Sequence, residues 1–278
     1  MTSPVLQDAD PRAWKEHCYG LPAERWESLR GQSFWITGAG TGFGRAVAVA
    51  LSCAGAGVFL TGRREAKLLE TIDDAEALGA ARGECFALPA DITSEEQMTA
   101  ATRTIERSGR PLRGIINSAA VPQQRRSEWP LMEESTALWQ HMLAANLLGS
   151  WLATKCALPL MIRSGAVRAL FLSSGAGWAD TPGFGQYNVS KAALNSLGAS
   201  LAAECALRYP DADVQINVVV PGEARTEMNQ GSENSPYTLA SMALLLLSHP
   251  KGGPNGRFFH RDGRHLEFCC SAAYSHAL

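Results

Sequence analysis

At 278 residues the chain is long enough for one large domain or two small ones, and 46% hydrophobic content supports a sizeable core. A net charge of −2 offers no basic face, which argues against a nucleic-acid binder. The 7 cysteines are odd in number and lack zinc-site spacing, so they read as free thiols of a reducing compartment, with Cys269 and Cys270 as ordinary packing residues.

Met1 to Pro11 is polar and acidic, unlike a signal peptide, and the longest strongly apolar run, Ala243 to Leu247, is far too short to cross a bilayer. The expectation is a soluble, cytoplasmic protein with neither a membrane nor a nucleic acid among its partners. Residues 1–30 carry Trp14, Trp26 and the run His17-Cys18-Tyr19, which is aromatic for a free tail. They read as an N-terminal extension that packs on the domain, with one or two helical turns over 23–29. Residues 31–278 then read as one domain. Apolar runs predict strands at 33–37, 57–61, 85–88, 114–117, 169–173, 214–220 and 257–260. Helices are predicted at 45–54, 65–78, 94–107, 136–161, 187–208 and 236–248. Ser94 caps the third of these, and Pro159 offers the fourth an early stop. The strands are continuous apolar runs, as when helices cover both faces of a sheet. Such alternation gives an α/β fold, a doubly wound parallel sheet whose ligands sit outside the carboxyl ends of the strands.

Gly38, Gly40, Gly42 and Gly44, with Thr41 and Phe43 among them, lie between the first strand and its helix. Glycine lets backbone approach a ligand closely, and a helix start offers free amides to a phosphate. The pattern is Thr-Gly-x-x-x-Gly-x-Gly from Thr37, not the Gly-x-Gly-x-x-Gly spacing. After the second strand, where an acid would hold the adenosine ribose, stand Arg63 and Arg64. Two guanidinium groups there favour a 2′-phosphate, hence NADP(H) over NAD(H), unless they merely begin a solvated helix. Tyr187 and Lys191 are four apart on a predicted helix and share a face. An ammonium beside a phenol lowers its pKa and suits it to acid–base work. Taken alone, the spacing is weak evidence and better fits a surface Tyr and Lys that share a face by accident.

With these motifs the sequence resembles the short-chain dehydrogenase/reductase family, in its short single-domain branch, over about Leu29 to Gly263. The resemblance implies a Rossmann-type, three-layer fold of about seven strands. Asp91, followed by Ile92, matches the family's adenine-contacting acid. Asn117 and Ala119 fit its Asn-Asn-Ala-Gly motif, but Ser118 and Ala120 depart from it. Asn146, Ser174, Tyr187 and Lys191 match its catalytic tetrad. Pro221, Gly222 and Thr226 match its turn beside the nicotinamide, with Ala224 smaller than the usual residue. By this resemblance, hydride passes between a nicotinamide and a carbonyl or secondary-alcohol carbon of a small molecule. Tyr187 exchanges the proton, Ser174 donates to the substrate oxygen, Lys191 supports the phenolate and holds the nicotinamide ribose, and Asn146 holds a relay water. The family also implies a homodimer or homotetramer, built on the helices of Asn146 and Tyr187.

Trp178 and Phe184, between Ser174 and Tyr187, are candidate substrate contacts, although a tryptophan covering the core explains Trp178 as well. A short polar loop at about 227–240 reads as a mobile cover. Arg125 and Arg126 could meet an anionic group, but a solvated loop is the plainer reading. His249, His260, His265 and His276 lack ligand spacing, so no metal is expected. Other readings are a reductase of carrier-bound acyl or sugar substrates, and a non-catalytic cofactor-binding sensor or scaffold. The intact Ser174, Tyr187 and Lys191 argue against the sensor.

Overall fold

Seven runs of apolar residues pair side by side as parallel strands: β1 (Ser33–Thr37), β2 (Gly57–Gly62), β3 (Cys85–Pro89), β4 (Leu112–Asn117), β5 (Ala166–Leu172), β6 (Asp213–Val220) and β7 (Phe258–His260). Their order in the sheet is β3-β2-β1-β4-β5-β6-β7. This computed structural model describes residues 10–123, 129–178 and 182–267. The expectations at Arg125, Arg126, Cys269, Cys270 and His276 therefore fall outside the described residues.

The connecting segments are α3 (Gly42–Cys53), α4 (Glu65–Ala77), α5 (Glu95–Arg107), α6 (Pro130–Glu133), α7 (Thr136–Leu143), α8 (Gly149–Arg163), α9 (Gly185–Arg208) and α10 (Ala240–Leu247). Two small helices, α1 (Pro11–Glu16) and α2 (Ala23–Glu27), precede the sheet. Side chains alternate across a strand, so each strand feeds two cores. Phe34 and Ile36 of β1 join Val47 and Leu51 of α3 and Leu244 and Leu247 of α10 on one face. Trp35 between them faces Met98 and Ile105 of α5 and Leu152 and Met161 of α8. That is the three-layer, doubly wound arrangement expected from the sequence. The order reverses between β1 and β4, which splays their following loops apart and opens a cleft.

Two local differences from the sequence reading matter. The predicted helix 136–161 is two helices, α7 and α8, joined by a π turn over Ala144–Leu148. Pro159 does not stop α8, which runs on to Arg163. Pro159 and Lys155 are both exposed, so the carbonyl deprived of its donor faces water.

The N-terminal segment packs against α3 and α10. Tyr19 is fully buried, stacked on Trp26 (5.9 Å between centroids) and on Tyr237 (6.3 Å). Arg25 donates from Nε to the Ser248 carbonyl at 2.9 Å. No helix among the described residues is long and apolar enough to cross a membrane.

Candidate active site

Between the ends of β1 and β4 lies a cleft of about 320 Å³. The glycine turn after β1 forms one wall. Gly38 has a φ of +67°, and a Cβ there would lie 2.6 Å from the Ala119 amide nitrogen. A Cβ on Gly44 would stand 2.3 Å from the Gly38 carbonyl oxygen. Only glycine lets the turn fold this tightly onto the loop after β4. Thr41 precedes α3 without a side-chain cap on its first amides. The first turn of α3 therefore presents N–H groups and a positive dipole end to an anion.

Gly38, Gly40, Thr41, Gly42 and Phe43 all line this cleft, as do Arg63, Arg64, Asp91, Ile92, Ala119 and Thr226. Asp91 accepts from the Thr93 amide at 2.9 Å and the Thr93 hydroxyl at 2.8 Å. Partial burial alone would raise its pKa, but these bonds, with Arg63 and His141 nearby, hold it below the usual range. Arg64 grips Glu227, with Nη2–Oε2 at 2.6 Å and Nη1–Oε1 at 3.3 Å.

Other expected contacts stand behind the wall rather than on it. Asn117 is buried and donates to the Thr154 hydroxyl at 2.9 Å. Pro221 and Gly222 form a turn held by Arg261, whose Nη1 reaches the Pro221 carbonyl at 3.2 Å and the Glu223 carbonyl at 2.7 Å. Ala224 is buried.

Beyond Val121 and His141, at the carboxyl end of β5, lie Ser174, Tyr187 and Lys191. Tyr187 is in the first turn of α9 and is buried among Met142, Ala176, Val121 and Phe184. The Ser174 hydroxyl hydrogen-bonds the Tyr187 phenol. Lys191 Nζ lies 5.6 Å from the centre of the Tyr187 ring and donates to the Leu172 carbonyl at 2.9 Å. Asn195, one turn further along α9, anchors the loop after β5: it bonds Ser173 at 2.5 Å and the Gly177 carbonyl at 3.2 Å.

The electrostatics reverse one expectation. Burial pushes the Tyr187 phenol above its ordinary range, and the Ser174 hydrogen bond only partly offsets this. Burial also lowers the Lys191 ammonium to about 8. The sequence reading had the lysine lowering the phenol; here loss of water dominates both groups. Asn146 lies in the π turn, fully buried. It accepts from the Val121 amide at 2.7 Å and donates to the Val121 carbonyl at 3.1 Å and the Ser190 hydroxyl at 3.2 Å. It thus ties the loop after β4 to α9. Phe184 sits beside Tyr187, with ring centres 6.2 Å apart. Trp178 instead packs edge-on against Phe258 of β7, at 4.9 Å. Among the described residues no group of His, Cys, Asp and Glu is placed to hold a metal.

The model of the family described as short chain dehydrogenase matches residues 32–236. The chain belongs to the short-chain dehydrogenase/reductase family. Among its relatives are 11-beta-hydroxysteroid dehydrogenases 1A and 1B of Arabidopsis thaliana, 32% identical over 206 residues, or 74% of this chain. The match spans only 56% of the length of those two relatives. An NADP-dependent (R)-specific alcohol dehydrogenase of Lentilactobacillus kefiri is 29% identical, with 82% of this chain and 87% of that one covered. A short-chain type dehydrogenase/reductase from Mycobacterium ulcerans superposes with a TM-score of 0.75 at 26% identity, covering 83% of this chain and 88% of that one.

In this short-chain dehydrogenase/reductase, several cleft residues escaped the sequence reading: Lys67, Val121, His141 and Ala145. His141 lies in the last turn of α7, and nothing in the sequence marked which side of that helix faces the cleft. Glu227 and Met228, which also line the cleft, come from the loop expected at about 227–240. Asn195 and Ser190 were hidden because their work is to position others.

Proposed function

We propose that the protein is an NADP(H)-dependent oxidoreductase that interconverts a carbonyl and a secondary alcohol on a small molecule. The observation that carries this reading is the buried Tyr187 phenol, hydrogen-bonded by Ser174 and facing the Lys191 ammonium, beside a glycine-walled cleft. The close-packed turn at Gly38 and Gly44 and the uncapped start of α3 fit a dinucleotide pyrophosphate. Bound in this cleft, the nicotinamide supplies the hydride for reduction or accepts it in oxidation.

The chain's own residues handle the proton. At neutral pH the Tyr187 phenol is protonated, because burial raises its pKa, so it stands ready as an acid for reduction. Ser174 donates a hydrogen bond to the substrate oxygen as negative charge grows there, and Tyr187 gives up its proton to that oxygen. Lys191 then stabilises the phenolate and holds the nicotinamide ribose. Oxidation runs these roles backward. Asn146, buried in the π turn, would hold the relay water. Phe184 forms the apolar side of the substrate pocket.

Arg63 and Arg64, with no acid before Glu65, follow β2 at the adenosine end, which supports a 2′-phosphate. The NADP-dependent alcohol dehydrogenase among the relatives supports the same preference. Titrating NADPH and NADH against the protein tests the reading. NADPH should bind at least about 10-fold tighter, and Arg63→Ala should remove roughly 10- to 100-fold of that affinity, the size of a charge-assisted hydrogen bond, while NADH is unmoved. A preference for NADH that Arg63→Ala leaves unchanged contradicts it. A screen of ketones, acyl thioesters and sugars with NADPH then sorts the substrate classes. The short-chain family commonly assembles through the helices of Asn146 and Tyr187, and a homodimer or homotetramer is the proposed state.

A further inference from the structure

The Arg64–Glu227 pair spans the cleft mouth. Arg64 follows β2, on the wall where the adenosine end of a dinucleotide would lie, and Glu227 belongs to the loop after β6 on the opposite wall. The two groups meet through both guanidinium nitrogens, at 2.6 and 3.3 Å. Next to Glu227, the Thr226 methyl already touches the glycine turn, 3.0 Å from where a Gly42 Cβ would be. The neighbouring charges are otherwise committed. Lys67 binds Glu70 at 2.8 Å, and Arg45 binds Glu70 and Asp74. Arg63 lies near Asp91 and has no ion pair among the described residues.

We propose that Glu227 is an internal competitor for the 2′-phosphate, a residue that sets cofactor specificity from across the cleft. This rests on the NADP(H) reading above. A carboxylate and a phosphate each offer a guanidinium two oxygens for a bidentate pair, so Arg64 cannot serve both fully. Binding of the 2′-phosphate therefore moves Arg64 off Glu227 and unties the loop after β6 from the β2 end of the cleft. NADP(H) must displace the carboxylate from Arg64. NAD(H), without that phosphate, leaves the pair in place. Both side chains are half exposed (58% and 50%), so solvent screens the pair and the exchange is easy.

The test is a set of dissociation constants for NADPH, NADH, 2′,5′-ADP and ADP, measured by calorimetry on wild type, Glu227→Gln, Arg64→Ala and the double variant. Glu227→Gln should tighten NADPH and 2′,5′-ADP by about 3- to 10-fold and leave NADH and ADP within about 2-fold, the range of a screened surface pair. In the Arg64→Ala background the same change should lose most of its effect. No tightening of NADPH, or equal tightening of NADPH and NADH, overturns the role of Glu227. The wild-type ratio of NADPH to NADH judges the cofactor reading separately. A wild-type preference for NADH overturns that reading, while selective tightening of NADPH by Glu227→Gln still supports the competition.

Discussion

Lys191 is a charged group almost fully withdrawn from water, and burial lowers its pKa to about 8 from 10.5. The sign of its effect on stability follows. Below about pH 8 the lysine is charged in both states, and the folded state bears the whole desolvation penalty, roughly 3 kcal/mol from the pKa gap. As pH rises from 8 toward 10.5, the unfolded chain still holds a proton that the folded one has shed, and the penalty fades. Lys191→Met removes it but leaves the Leu172 carbonyl without its donor, at a cost of about 1 kcal/mol. The variant should be about 1–2 kcal/mol more stable than wild type at pH 7 by urea titration, and should not turn over. A Met variant less stable than wild type would show that Lys191 is there for structure. Retaining a destabilising buried charge makes sense under the proposed role, in which Lys191 serves a ribose and a phenolate. None of this was legible in the sequence: a Tyr and a Lys four apart specify a shared face, but burial decides which way each pKa moves.

The legible elements were the strands, because each is dominated by apolar residues over a short run, and β1 to β4 and β6 end at or beside a glycine, asparagine or proline. All seven expected strands are present, within a few residues of their predicted ends. The π turn was not legible, because periodicity at 3.6 residues cannot register a turn with i→i+5 bonding. Its effect is to aim Asn146 at Val121 and Ser190. Arg168, in the middle of a strand that reads as wholly apolar apart from it, was passed over as well. It is buried between β5 and β6, ion-paired with Asp213, and donates to the His249 carbonyl at 2.8 Å. Burial alone would raise the Asp213 carboxyl, but Arg168 and Gln215 hold it below its usual range. Its stabilisation is therefore present above the unfolded carboxylate pKa and is lost as pH falls through the folded one. Asp213→Asn leaves a buried guanidinium uncompensated, so it should cost about 3–5 kcal/mol at pH 7. The gap from wild type should narrow in acid. Denaturant titration at pH 7 and pH 3 checks both points, and a loss below about 1 kcal/mol at pH 7 contradicts the pairing argument.

Across the whole molecule, the order β3-β2-β1-β4-β5-β6-β7 brings distant segments to one edge of the sheet. The glycine turn follows β1, the arginines follow β2, Asp91 follows β3, Ser174 follows β5 and Glu227 follows β6. The N-terminal segment adds a clamp at the end of the loop after β6: Tyr19 stacks on Tyr237, and Ser241 bonds the Tyr19 carbonyl. The sequence showed that this segment is aromatic but not what it would stack on, since a contact 218 residues away leaves no local pattern.

The central claim is that this edge is one reaction centre in which Tyr187 moves the proton. Tyr187→Phe keeps the ring and its packing and deletes only the hydroxyl bonded by Ser174. Its turnover with NADPH and the best carbonyl substrate, measured beside its NADPH dissociation constant, tests the claim most directly. The account predicts turnover lower by at least about 10²- to 10⁴-fold, the usual share of a positioned acid, with cofactor affinity within a few-fold of wild type. Turnover close to wild type in that variant would contradict it.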